Sequence, residues 1–196
     1  MPRANQRGFT IVELTVSLVL VLLLVLGMAG VLIQSAQMNR ARQMAVEIQS
    51  TARNCMSQVT QTLRTAGWDP LEVGFSPVVL DADPSDSVSY IEVFADLDSD
   101  GSTDGSGEQV LIRHVQDRIE WRRSSDTSLP FETLGVYVSN DSDGDGTIEP
   151  MFSPDSVTDP SRVVVTITVE SPAPDPRSGE FLRYTLSNEV VLRRVL

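Results

Sequence analysis

The chain has 196 residues, with 27 acids against 15 bases and a formal net charge of −12. Every base is an arginine, which excludes lysine-dependent chemistry such as Schiff-base formation or the phosphate contact of a nucleotide-binding P-loop. A chain this acidic repels a phosphate backbone, so direct nucleic-acid binding is not expected.

The N-terminus combines a short basic segment with a long apolar one. Residues 1–8 read MPRANQRG, and the 25 residues from Phe9 to Ile33 carry a single charge, Glu13. As an α-helix this segment is about 37 Å long, enough to cross a hydrocarbon layer of about 30 Å. The positive-inside rule keeps the basic flank in the cytoplasm. The sequence predicts a single pass through the inner membrane, with a head in the periplasm or outside the cell.

The apolar run is too long for an ordinary secretory signal, whose apolar region spans about 7–15 residues before a small-residue cleavage site. An uncleaved membrane anchor is the general alternative, and Glu13 is the residue that argues against it. A carboxylate deep in an apolar span is costly, so such a residue is treated as functional and requires a partner. The simpler interpretation is that Glu13 extends to the lipid headgroups.

The junction RGFTIVEL resembles the prepilin-peptidase site of type IV pilins and type II secretion pseudopilins. The resemblance implies cleavage between Gly8 and Phe9, methylation of the new N-terminal Phe9, and Glu13 as the fifth mature residue. It also implies that Glu13 pairs with the α-amino group of a neighbouring subunit in an apolar filament core, where either charge alone would be heavily penalised. The implied partners are prepilin peptidase, other pilin or pseudopilin subunits, and inner-membrane lipid.

Beyond Ile33 the apolar residues recur at steps of three and four, the pattern of one buried face on an α-helix. They are Ala41, Ala45, Ile48, Ala52, Cys55, Val59, Leu63 and Ala66. Gly67 followed by Pro70 is typical of a helix end. The pattern predicts one helix of 58 residues from Phe9 to Ala66, in which residues 9–33 are the transmembrane and assembly part and residues 34–66 are an amphipathic continuation.

The single cysteine and the single histidine are interpreted as structural. Cys55 has no cysteine partner for an intrachain disulfide and lies on the predicted buried face, so it is expected to pack rather than react. His114 lies in a strand-like run without a second histidine, so it is expected to be packed or on the surface rather than a base or zinc ligand. An enzyme is therefore not expected.

Residues 67–196 read as short β-like runs between polar turns and form the predicted head. The runs are Ser87–Phe94, Gln109–Val115, Arg118–Arg123, Leu134–Val138, Arg162–Glu170 and Phe181–Leu192. An antiparallel sheet laid over the second half of the helix would bury its apolar face, which gives an α+β class and the pilin fold that the resemblance implies. The piece LRTAGWDP and a C-terminal strand ending in arginines resemble minor pilins of the PilW type and pseudopilins of the J type.

Charge is divided along the chain. Between Gln34 and Ala66 four arginines face one acid, whereas Thr65 to Ile112 contains eleven acids and no base. A basic stalk below an acidic head favours attraction to anionic headgroups and complementary contacts between staggered neighbours. Such runs are also often plain solvated surface.

Two aspartate-rich loops match the first half of the D-x-D-x-D-G pattern of calcium loops. The candidate ligands are Asp96, Asp98, Asp100 and Asp104 in the first loop, and Asp141, Asp143, Asp145 and Glu149 in the second. Alternate side chains of such a turned loop converge on one hard cation, and the glycine permits the turn. No cofactor is required by the sequence, and Ca²⁺ is the ion that these loops favour.

Both loops lack the bidentate acid of position twelve, which is Gly107 in the first loop and Phe152 in the second. Asp104, Glu108 or Asp155 could compensate. The affinity is then expected to be modest and suited to extracellular calcium. The alternative is a surface connection of aspartate, serine and glycine, which turns favour without any ion.

The resemblance implies a minor pilin that takes part in assembly or initiation of a type IV pilus. A pseudopilin of a type II secretion system is the near alternative, and the sequence does not separate the two. A calcium-dependent adhesive module at a filament tip is a third hypothesis, of a different class. A main structural pilin is disfavoured, because its head is usually pinned by a C-terminal disulfide.

Overall fold

The computed structural model describes residues 10–80, 88–105, 107–123, 126, 128–156 and 160–193. The chain divides into two compact units, Met1–Gln43 and Met44–Leu196. Helix α1 (Ile11–Thr65, 55 residues) contributes to both units. The prediction placed the last residue of the helix at Ala66, whereas α1 ends at Thr65. Ala66 belongs to the turn that follows, and its amide donates to the Leu63 carbonyl at 3.2 Å. The predicted first residue, Phe9, lies outside the described residues.

In the first unit α1 exposes its apolar side chains. Leu14, Leu22 and Ile33 are 61, 55 and 61% exposed. An 18-residue window of α1 has a mean hydropathy of 3.0, and none of that window is buried. Among the described residues, α1 is thus the helix that is long and apolar enough to cross a membrane.

The second unit contains two antiparallel sheets. The five-stranded sheet has the order β1 (Val78–Leu80), β2 (Val88–Phe94), β3 (Gln109–Val115), β4 (Arg118–Arg122) and β5 (Glu132–Val136). The three-stranded sheet has the order β6 (Phe152–Pro154), β7 (Arg162–Glu170) and β8 (Arg183–Val191). β7 and β8 form the predicted C-terminal hairpin, in which all nine residues of each strand are paired.

One hydrophobic core joins the helix to the inner faces of the sheets, as the α+β pilin arrangement predicts. The buried residues of α1 in this core are Ile48, Ala52, Cys55, Met56, Val59 and Leu63. The predicted stripe is therefore correct from Ile48 onward, whereas Ala41 and Ala45 are only half-buried. The strands contribute the alternate residues of β3 and β7 that the pleat turns inward.

Helix α1 and strand β5 approach each other closely at a glycine. A Cβ at Gly135 would overlap the Sγ of Cys55, so only glycine fits at this crossing without movement. The thiol of Cys55 donates a weak hydrogen bond to the Leu134 carbonyl at 3.6 Å. Burial raises the pKa of Cys55 to about 11, and the Cys55 backbone partly offsets this. The interpretation of Cys55 as a packed residue is confirmed.

His114 of β3 contacts Val138, a residue between the two sheets. His114 is fully buried, and its Nε2 lies 2.8 Å from the carbonyl oxygen of Val138. Since a carbonyl only accepts, Nε2 carries the proton, and Nδ1 has no hydrogen-bond partner among the described residues. Val138 also donates its amide to the Asp117 carbonyl at 2.9 Å and forms an isolated bridge with Val169. Burial lowers the pKa of His114, and the Val138 carbonyl partly offsets this.

Candidate functional site

The first candidate site is the start of helix α1. The Glu13 amide donates to the Thr10 hydroxyl oxygen at 3.2 Å, which makes Thr10 the N-cap and Glu13 the third helical residue. The Glu13 side chain is exposed and lies in the first turn, where the helix dipole favours a negative charge. The cap was missed at the sequence level although its signal, a threonine three residues before a glutamate, is present.

The other two N-terminal residues that the sequence singled out, Gly8 and Phe9, lie outside the described residues. Cleavage after Gly8 and methylation of Phe9 remain predictions. What the structure supplies is the register of the first turn, because the Thr10 cap fixes where the helix begins. Glu13 is the fifth residue counted from the predicted mature N-terminus, Phe9.

The second candidate site is the first aspartate loop. The carboxylates of Asp96, Asp98 and Glu108 each offer an oxygen, and these oxygens lie within 4.8 Å of one another. Glu108, which follows position twelve, is thus the acid that the fold brings to Asp96 and Asp98. Of the other predicted ligands, Asp100 accepts from the Ser102 amide at 2.8 Å, and Asp104 accepts from the Ser102 hydroxyl.

Two of these carboxylates are buried and hold the loop together. Asp96 is 0% and Glu108 is 2% exposed. Asp96 accepts backbone amides of residues 99–101 at 2.7 to 3.2 Å, and Glu108 accepts those of residues 97, 98 and 105 at 2.7 to 3.0 Å. The pKa of Asp98 is raised, first by desolvation and then by the charges of Asp100, Glu108 and Asp96. The loop therefore concentrates negative charge at one point.

The second aspartate loop brings together Asp141, Asp143 and Asp145, whose carboxylate oxygens also lie within 4.8 Å of one another. Glu149 is outside this group, and its side chain accepts from the Ser142 hydroxyl at 2.6 Å. A hydrogen bond from the Thr147 amide is the main cause of the lowered pKa of Asp145.

Buried Asn140 fixes this loop to the sheet. The Asn140 side chain accepts from the Thr168 amide of β7 at 3.0 Å and donates to the Glu149 carbonyl at 2.9 Å. The buried Asn140 side chain thus links both ends of the acidic loop to strand β7.

The two loops share one backbone geometry. In each, the first aspartate accepts the amide of the glycine five residues later, Gly101 at 3.0 Å and Gly146 at 3.1 Å. The fourth position has positive φ in both, 65° at Ser99 and 84° at Gly144, and the sixth is a glycine at 84° and 86°. A ring of carboxylate oxygens on such a turn suits a hard cation such as Ca²⁺.

The loops differ in the charge beside them. A Cβ at Gly144 would overlap the guanidinium of Arg183, so a cation already lies against the second loop. Arg183 also pairs with Glu170 at 2.8 Å. None of the four ion pairs among the described residues involves a carboxylate of either loop. The first loop, with two buried carboxylates, is therefore the stronger cation candidate of the two.

Comparison with protein families places a motif at the N-terminus. Residues 3–29 match the prokaryotic N-terminal methylation motif. The match includes Gly8, Phe9 and Glu13 and ends inside the exposed apolar part of α1. Comparisons with curated proteins and with solved structures gave no match.

Proposed function

We propose that this chain, a type IV prepilin-like protein, is a minor pilin that prepilin peptidase processes and that takes part in assembly or initiation of a type IV pilus. The observation that carries the proposal is that the methylation motif covers the start of a 55-residue helix. The first part of this helix is exposed and apolar, and its second part packs in a β-rich head. Pilin-like proteins are structural rather than enzymatic.

Glu13 is the residue on which assembly depends in this proposal. Cleavage before Phe9 creates an α-amino cation, and Glu13 of an adjacent subunit is its counter-charge. In an apolar filament interior a lone charge is heavily penalised, so the pair sets the axial register between subunits. The capped first turn holds Glu13 in the helix.

The test replaces Glu13 by alanine and measures the share of the protein in sheared surface filaments. Glu47→Ala is the matched control, since Glu47 is also an exposed glutamate of α1. We expect Glu13→Ala to leave the protein in the membrane and Glu47→Ala to enter filaments normally. N-terminal mass spectrometry is expected to show a mature chain beginning at methylated Phe9. An intact Met1, or normal incorporation of Glu13→Ala, would refute the proposal.

A pseudopilin of a type II secretion system is the alternative that shares all of these features. Deletion of the gene separates the two roles: loss of surface pili with normal protein secretion supports the pilus, and the reverse supports secretion. The Glu13 experiment then applies to the pseudopilus instead.

A calcium-dependent adhesive module at a filament tip is a second candidate, favoured by the convergence of Asp96, Asp98 and Glu108. Calorimetry of the full-length protein in detergent should detect Ca²⁺ binding and a raised melting temperature at millimolar calcium. Asp98→Asn should weaken this binding without unfolding the head, because Asp98 is exposed, and should reduce surface attachment while piliation persists. No heat and no shift in melting temperature at millimolar calcium would exclude the calcium site.

A further inference from the structure

Two clefts of the head meet where helix α1 ends, and both are lined by Thr65 and Leu97. Their volumes are about 430 and 610 Å³, within the range of ligand sites. We call the pair of clefts the α1-end groove. The first cleft extends to Trp68 and Arg193, and the second to Trp121 and Arg123. The groove thus contains both tryptophans of the chain.

An arginine is stacked on a tryptophan in each cleft. The Arg193 guanidinium carbon lies 4.5 Å from the ring centroid of Trp68, and that of Arg123 lies 3.7 Å from the ring centroid of Trp121. A guanidinium over an aromatic ring keeps its N–H donors for a further partner. A carboxylate suits these donors, because it accepts two parallel N–H bonds from one arginine.

The charge of the groove is opposite to that of the head around it. Arg64, Arg123 and Arg193 line it, and no aspartate or glutamate is among the described residues that do. None of these three arginines belongs to the four ion pairs of the described residues. Within the part of the chain that the structure describes, the groove therefore has three arginines and no acidic lining residue, which makes it complementary to an external anion.

The apolar and amide side chains that line the groove suit a polypeptide. Leu97 is 51% exposed there although it is a large apolar residue, and Trp68 is 43% exposed. Gln58 and Gln61 of α1 line the second cleft and offer amides that can bond to a peptide backbone. An extended segment with acids on both sides of an apolar residue would place carboxylates at the arginines, backbone groups at the glutamines and an apolar side chain on Leu97.

We propose that the α1-end groove binds an acidic polypeptide segment of a partner protein, with carboxylates at the stacked arginines and an apolar side chain on Leu97. This interaction surface is distinct from the Glu13 assembly site and does not depend on the proposed function.

The test uses full-length protein in detergent and a capped peptide of two glutamates, a leucine and two glutamates. Tryptophan fluorescence reports directly, since both tryptophans lie in the groove. We expect saturable binding that high salt weakens, and binding at least about tenfold weaker for the same peptide with glutamines. Arg123→Gln and Arg193→Gln should each weaken binding by about five- to tenfold. Arg177→Gln, an exposed arginine outside the groove with the same charge change, should leave it within about twofold.

Equal binding of both peptides, or an equal loss with Arg177→Gln, would overturn the proposal. Binding of phosphatidylglycerol vesicles that depends on Arg123 and Arg193, without peptide binding, would also overturn it and assign the groove to lipid. Glu13→Ala should bind the acidic peptide like the original chain, so a failure of the assembly role and a failure of the groove are distinguishable.

Discussion

The close contact between helix α1 and strand β5 at Gly135 allows a quantitative stability prediction. In Gly135→Ala the new methyl group would overlap the Cys55 sulfur, so α1 and β5 must separate or Cys55 must change rotamer. Overpacking of this kind costs about 1–3 kcal/mol. Gly135 has no positive φ, so alanine is compatible with the backbone. Alanine also reduces the conformational entropy of the unfolded chain, which stabilises the fold by about 0.4–1 kcal/mol. The net loss is about 1.5 kcal/mol, or about 3–6 °C in melting temperature for a head of this size.

Urea unfolding of the full-length protein in detergent, followed by tryptophan fluorescence, measures this loss. The matched test is the double variant with Cys55→Ala, which removes the sulfur that the new methyl group meets. If overlap is the cause, Gly135→Ala destabilises the protein less when Cys55 is already alanine, with a coupling of at least about 0.5 kcal/mol. Simple additivity of the two variants would refute the reasoning.

Three further predictions concern protonation and capping. Burial lowers the pKa of His114, so the neutral imidazole stabilises the fold at neutral pH. This part of the free energy of unfolding is lost as the pH falls below 6.5, by up to about 1.4 kcal/mol per pH unit. In His114→Gln the free energy of unfolding should therefore change less between pH 7 and 5. Hydrogen bonds from Ser161 and Arg162 hold the pKa of Asp155 at about 2. The stabilisation by the ionised Asp155 is therefore lost as the pH falls from 3.8 to about 2. Asp155→Asn should remove that part of the fall in melting temperature in acid. Thr10→Val should cost the α1 N-terminus about 1 kcal/mol and speed hydrogen exchange of the Glu13 amide, whereas Thr10→Ser should not.

The long elements were predictable from sequence because their periodicity extends over many residues. α1, β3 and β7 have apolar repeats long enough to define a face, and the observed strands Gln109–Val115 and Arg162–Glu170 match the prediction. β1 and β6 were missed because three residues contain no measurable period, and β6 includes Pro154.

The bounds of strand β5 were predicted wrongly, and the reason is local. The prediction was Leu134–Val138, whereas β5 is Glu132–Val136. Tyr137 has a φ of 62°, which ends the strand and turns Val138 toward the other sheet. A positive φ at a tyrosine has no sequence signal, and the next residue, Val138, takes part in a long-range bond with His114.

The candidate sites differ in how far sequence alone defines them. The N-terminal motif is local, so residues 3–29 could be recognised without any structure. Spacing identified Glu108 as one of three acids that could replace position twelve, and the fold places its carboxylate with those of Asp96 and Asp98. The clefts that Arg123 and Arg193 line are formed by chain segments that only the fold brings together, so spacing could not predict them.

Leu97 connects the first aspartate loop to the α1-end groove. It lies between Asp96 and Asp98, and its amide donates to Glu108 at 2.7 Å, while its side chain lines both clefts. A cation held by these carboxylates would fix the backbone that positions Leu97 and would reduce the negative charge near an acidic partner segment. Calcium and an acidic segment would then each strengthen the binding of the other, because coupling between two sites is reciprocal.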